Sequence, residues 1–164
     1  MAQKVDAHTK TGGEQVHTLN KAGSGATLEK APAVDAIFQE LKVRRKHRYI
    51  ILRVGESLID VEKVGERTAT YLSMKPNLPY IDCRFVLYDQ EYDTADRGKQ
   101  SRLWFINWFP DNASTYNKMA YTSARQKLIE SMPGVREVMV RSLDELDRNL
   151  NESQEQADDS DIDL

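Results

Sequence analysis

The sequence predicts an α/β chain of the α+β type, with a mixed five- to six-stranded central sheet sandwiched between helices. Three observations predict it. Five strand-like runs, RYIILRV, SLIDVEKV, DCRFVLYDQEY, SRLWFINW and VREVMVRS, are separated by turn and loop signals. Apolar residues at helical spacing precede the first run and follow the fourth. LWFINW is apolar at nearly every position, which suits a central strand covered on both faces.

The first helix is read in APAVDAIFQELKVRR. Val34, Ile37, Phe38 and Leu41 fall at i, i+3, i+4 and i+7, forming one apolar stripe, and Pro32 suits a first turn. Lys42, Arg44, Arg45, Lys46 and Arg48 crowd its end, where cations complement the helix dipole. RYIILRV and SLIDVEKV follow as strands joined at Gly55-Glu56. GERTATYLSMKPNLPY reads as a short helix and a proline-broken loop. DCRFVLYDQEY and SRLWFINW are the next strands, joined by the polar loop DTADRGKQ with Gly98 at the turn. Trp104 and Trp108 share one face of their strand and are expected in the core.

Pro110 ends that strand because it has no N–H for the ladder, and Asp111 or Asn112 is expected to cap a long helix. Stepping 100° per residue puts Ala113, Ala120, Ala124 and Leu128 on the buried side, with Tyr121 at its edge. Thr115, Lys118, Thr122, Arg125 and Ile129 fall opposite. Periodicity therefore predicts an outward Lys118 and goes no further. VREVMVRS is the fifth strand and LDELDRNL a short last helix.

The chain has 164 residues, 40% of them hydrophobic and 30% charged, as in an ordinary globular domain. Residues 1–23 are poor in large apolar side chains and are read as a flexible arm; 24–150 form the domain; 151–164 are read as an acidic disordered tail. That tail holds six acids and no base, so the net charge of −3 hides a mildly basic body. The balance is too weak to suggest nucleic acid, but it suits a basic patch aimed at an acidic partner. Cys83 is the only cysteine, in an apolar run, and is expected to be a small core residue in a reducing compartment. No GxxxxGK, HExxH or CxxC pattern occurs, so neither an enzyme nor a cofactor is expected. Asp89, Glu91 and Asp93 read as a solvated strand end rather than a metal site.

The motifs carry more than the periodicity does. FINWFPD followed by KMAYTSA resembles the strand and long helix of the actin-depolymerising factor/cofilin family, written there as FxxW, then PD, then a KMxYASS-like run. DCRFVLYDQEY is similar to that family's DCRYAxYDxEY strand. FQELKVRRKHRYIIL resembles its first helix and strand, and DVEKVGE its VEKxG hairpin. All lie in family order across residues 24–150.

The resemblance implies an ADF-homology, gelsolin-like fold and a monomeric protein that binds actin monomers and filaments and promotes filament depolymerisation and severing. It implies a monomer-binding surface formed by the long helix, the N-terminal segment and the region before the last helix. Carried over by position, that surface takes Ser24, Gly25, Tyr116, Lys118, Met119, Thr122 and Arg125. The filament surface takes Lys99, Gln100, Arg102, Asp144 and Arg148. Tyr116 stands where the family often has arginine, Gln100 replaces a common basic residue, and Asn149 lies near another. Those departures, with the acidic tail, imply a bias toward monomers. Ser24, in a Ser-Gly pair, is the regulatory phosphorylation candidate, and Lys42, Arg44, Arg45, Lys46 and Arg48 are the phosphoinositide candidates. The implied localisation is the cytoplasmic actin cytoskeleton, with KVRRKHR also readable as a nuclear import signal. The runner-up target is that of the glia-maturation-factor branch, which acts on branched-filament nucleation; the PD…KM helix argues against it.

Overall fold

Continuous burial along the central strands organises the chain into one mixed sheet. The computed structural model describes residues 27–151; the expectations for residues 1–23, for Ser24 and Gly25 and for the tail after Asn151 lie outside the described residues. The strands are β1 (Glu29–Lys30), β2 (His47–Val54), β3 (Leu58–Glu66), β4 (Arg84–Thr94), β5 (Gly98–Trp108) and β6 (Arg136–Val140), in spatial order β1-β3-β2-β4-β5-β6. β2, β3, β4 and β5 pair antiparallel, while the edges β1–β3 and β5–β6 are parallel. The β1 edge was not expected. Two residues in a polar context carry no period, and pairing with Leu58 and Ile59 alone creates the strand.

Helices cover both faces, as expected. On one face lie α1 (Pro32–Lys42) and α3 (Thr115–Glu130), whose Val34, Phe38, Leu41, Tyr121, Ala124 and Leu128 pack on Ile50, Leu52, Phe85 and Phe105. On the other lie α2 (Tyr71–Met74), its 3-10 extension Lys75–Asn77, and a last helix, α4, running from residue 143 through 151. Met74, Leu146 and Leu150 there pack with Trp104, Ile106 and Trp108. β5 thus sends Phe105 to one core and both tryptophans to the other, as its unbroken apolar run requires.

The boundaries correct the sequence reading in four places. α1 stops at Lys42 because Arg45 adopts φ 56°, a left-handed conformation that cannot continue a helix. DTADRGKQ is mostly strand: β4 and β5 extend through Thr94 and from Gly98, whose φ of 68° serves the turn. The Thr94 hydroxyl closes it, donating to the Gly98 carbonyl at 3.1 Å and accepting from the Arg97 N–H at 3.1 Å. Ser114, not Asp111 or Asn112, caps α3, with Oγ accepting from the Asn117 N–H at 3.0 Å. The chain after Pro110 first spends a turn burying Ala113, whose N–H reaches the Pro110 carbonyl. Tyr121 is central rather than peripheral: it is 1% exposed, and its hydroxyl accepts from the Val54 N–H at 3.0 Å.

The acidic group on β4 is also different from the solvated strand end expected. Asp89 is buried and is met by Arg45 at 2.9 Å and by Arg67 at 2.6 Å. Arg48 donates to Glu91 at 2.6 Å and to the Asp89 carbonyl at 2.8 Å. Hydrogen bonding by Arg48 holds the Glu91 carboxyl below the usual range. A carboxylate drawn under α1 needs such partners, because burying it unpaired would cost several kcal/mol.

Gly65 sits opposite Tyr49, and a Cβ there would lie 2.1 Å from the Tyr49 ring. Gly65→Ala is therefore expected to cost about 1–3 kcal/mol in urea unfolding, with part of the loss recovered in Gly65→Ala/Tyr49→Val. A neutral single substitution would show that the ring moves aside freely. Burial pushes the Cys83 thiol up from 9.0 to about 11. The folded state thus holds that proton more strongly than the unfolded chain. Its contribution is intact below the unfolded value and is lost as pH rises through the folded one. Between about pH 8 and about 10.5, wild type is expected to lose more urea stability than Cys83→Ala. Equal losses would acquit the thiol.

Candidate functional site

α3 presents the predicted contact residues because its inner face is spent on packing. Tyr121, Ala124 and Leu128 turn inward, and Asn117 is fixed by accepting the Cys83 N–H at 2.7 Å. The turn-spaced Tyr116 and Met119 are left 86% and 64% exposed, a large apolar ridge with no partner among the described residues. Thr122 is exposed, and its hydroxyl returns to the Lys118 carbonyl at 2.8 Å, within the helix. Lys118 is half-buried at the flank of the ridge, with Nζ 3.3 Å from the Asp111 carbonyl. Of the two cations predicted on α3, Lys118 meets a backbone carbonyl, whereas Arg125 is bound to a carboxylate.

Arg125 and Ile129 behave differently from the outward stripe predicted. Arg125 is clasped by Glu137 of β6, which also accepts from Asn107 Nδ2 at 2.8 Å. Hydrogen bonding by Arg125 holds the Glu137 carboxyl below its ordinary range. Ile129 packs against the core. The side of α3 nearest β6 is thus a seam, and the open surface is the Tyr116–Met119 ridge with Lys118 beside it.

β6 extends that surface. Val138 and Val140 turn to the α4 core while Met139 alternates to the α3 side, where it is 53% exposed. Leu143 is 38% exposed at the start of α4, and Arg141 lies between Asp111 and Glu145 at 4.0 and 3.7 Å. The sequence reading named the region before the last helix without residues. The alternation in VREVMV carried the signal, since two valines in phase leave Met139 out of phase.

The second predicted set lies on the opposite side of the sheet. Gln100 and Arg102 fall in register phase with Trp104, on the α4 face, whereas Lys99 falls in the other phase. Arg102 lies over the Tyr92 ring at 5.2 Å. Gln100 Nε2 donates to the Arg97 carbonyl at 3.1 Å, which occupies it within the hairpin. Asp144 and Arg148 are exposed on α4, and Asn149 is turned back on the Glu145 carbonyl at 2.7 Å. The structure thus brings Gln100, Arg102 and α4 to one face and separates Lys99 from them.

The basic cluster at the end of α1 is partly committed. Arg45 and Arg48 bind the β4 carboxylates, Lys42 donates to the Pro133 carbonyl at 2.5 Å, and Lys46 lies 3.9 Å from Glu40. Arg44 is exposed. A cavity of about 200 Å³ opens beside them, lined by Leu41, Lys42, Arg45, Asp89, Ser101 and Leu103, with Gly134 at its rim. Among the described residues, no group of His, Cys, Asp or Glu is placed to hold a metal ion, and no helix is long and apolar enough to cross a membrane.

The family profile described as cofilin/tropomyosin-type actin-binding protein matches residues 27–154. Actin-depolymerizing factor 1 of Petunia hybrida is 34% identical over 122 residues, covering 73% of this chain and 87% of its own. Actophorin of Acanthamoeba castellanii is 37% identical over 109 residues, covering 65% and 78%. The crystal structure of Streptomyces griseoflavus cofilin superposes with a TM-score of 0.66 at 32% identity, covering 71% of this chain and 88% of that one. With the profile spanning most of the chain and the fold shared, this protein belongs to the cofilin/ADF family.

Proposed function

We propose that this chain is an actin-binding protein, not an enzyme, that binds actin monomers and filaments in the cytoplasm and promotes filament depolymerisation, with a bias toward monomers. The observation that carries the reading is the exposed Tyr116–Met119 ridge with Lys118 at its flank. Aromatic and methionine side chains at the centre of a patch supply most of an interface's affinity, and a flanking lysine sets orientation and on-rate toward an acidic partner. Met139 and Leu143 widen the apolar area, and Thr122 stands beside it. Arg125 contributes by fixing α3 to β6 through Glu137.

Filament binding requires a second surface, and the hairpin with α4 supplies a candidate on the far face. Arg102 and Arg148 are its cations. Gln100, folded back on its own hairpin, and Asn149, folded back on α4, offer it little. That weakness is the support for monomer bias.

Co-sedimentation with filaments, with protein and actin measured in both fractions, tests this reading. The wild type is expected to move actin to the supernatant with little protein in the pellet. Tyr116→Ala, Met119→Ala and Lys118→Ala are each expected to weaken monomer binding roughly fivefold to tenfold. Stoichiometric pelleting would remove the monomer bias. Monomer affinity unchanged in all three variants would point to a different target on the same fold.

A further inference from the structure

Positive charge gathers on the α4 face of the sheet near the β4–β5 turn. Arg102 is held over Tyr92, and Arg136 of β6, in phase with Val138 and Val140, lies over Trp104 at 5.8 Å. Arg148 is exposed on α4, and Arg97 at the turn. Among the described residues, Arg136 and Arg148 meet no carboxylate, and most of the described acids nearby are directed elsewhere. Asp89, Glu91 and Asp93 share the opposite strand phase. Asp147 is engaged by Tyr71 and Lys75, and Glu145 by Arg141. Asp96 in the turn and Asp144 at the start of α4 remain.

α4 delivers the rest of the chain to this place. Val140 pairs with Trp108, so the helix starts at that row of the sheet. Tyr71 reaches Asp147 at 2.5 Å and packs on Tyr88 at 5.6 Å, and Tyr88 pairs with Trp104. Tyr71 thus links Asp147 to the Tyr88–Trp104 row, and buried Leu146 and Leu150 keep the helix on the sheet. One more turn, about 6 Å, carries the helix on to residue 151. Residues 152–164 follow, with Glu152, Glu155, Asp158, Asp159, Asp161 and Asp163 and no base. Their reach is about 43 Å extended, against about 13 Å from Arg102 to Gly98 along β5.

We infer that this basic face is a binding site for acidic peptide and that its occupant is the chain's own segment 152–164. Each screened pair is weak, but six acids on one tether act at high effective concentration. The functional consequence rests on the filament-contact reading given above. The docked segment covers Arg102 and Arg148 and leaves the α3 ridge open, so it opposes filament binding and spares monomer binding.

A nitroxide at Ser160→Cys tests the docking without actin. Cys83 is buried with its thiol pushed up to about 11, so the label goes to residue 160. In the full-length chain the label is expected to broaden the amide signals of residues 97–102 and of Arg136 several-fold more than those of the α3 ridge. The effect is expected to vanish in about 0.5 M salt and in the variant Glu152→Gln/Glu155→Gln/Asp158→Asn/Asp159→Asn. No broadening, or broadening indifferent to salt and to neutralisation, overturns the proposal. Broadening seen only between labelled and separately isotope-enriched molecules assigns the site to a second copy and overturns it too. The neutralised chain is expected to bind filaments roughly fivefold tighter at low salt. If the label reports docking while Arg102→Ala and the neutralised chain bind filaments as wild type does, the docked segment stands and the filament-contact reading fails.

Discussion

The rest of the structure depends on β5 being buried on both faces. Phe105 must be covered on one side and Trp104, Ile106 and Trp108 on the other, so helices are needed on each. Each tryptophan also has a polar tip to satisfy, and the neighbours do so. Trp104 donates to Gln90 at 2.8 Å, and Trp108 to the Pro79 carbonyl at 2.7 Å. The chain leaves β5 onto one face as α3 and returns through β6 to the other as α4. The two candidate contact surfaces therefore lie back to back.

A second constraint is charge drawn inside the edge of the core. Asp89 is buried where α1 meets the sheet, and its stability there depends on Arg45 and Arg67. Arg45 meets this demand from a left-handed backbone conformation that is strained for a residue with a side chain, and the same conformation ends α1. The basic run KVRRKHR is therefore less a free patch than its sequence suggests. Two of its arginines are structural counter-ions.

The open surface of α3 follows from what packing leaves over. α3 has sixteen residues and is seated by buried Tyr121, Ala124 and Leu128, with Ile129 packed beside them and Asn117 tying its first turn to Cys83. The seam with β6 consumes Arg125 and, through Asn107 and Glu137, links the helix to the end of β5. The remaining arc, Tyr116 through Met119 and Thr122, is left outside the core.

The sequence by itself determined the strand and helix types, the two-faced burial of LWFINW, the inward turn of both tryptophans and the outward placement of Lys118, because these depend on local period. The family motifs, each a short run with its own spacing, carried the functional reading. Tertiary structure alone decided the rest. β1 exists only by pairing; Ser114 won the cap because Ala113 had to be buried first; Arg125 and Ile129 left the exposed stripe because β6 and the core reached them. Arg67 joined Asp89 from a turn distant in sequence, a partner no periodicity could name. A helical wheel knows which side faces away from the core, but not which neighbour stands on that side.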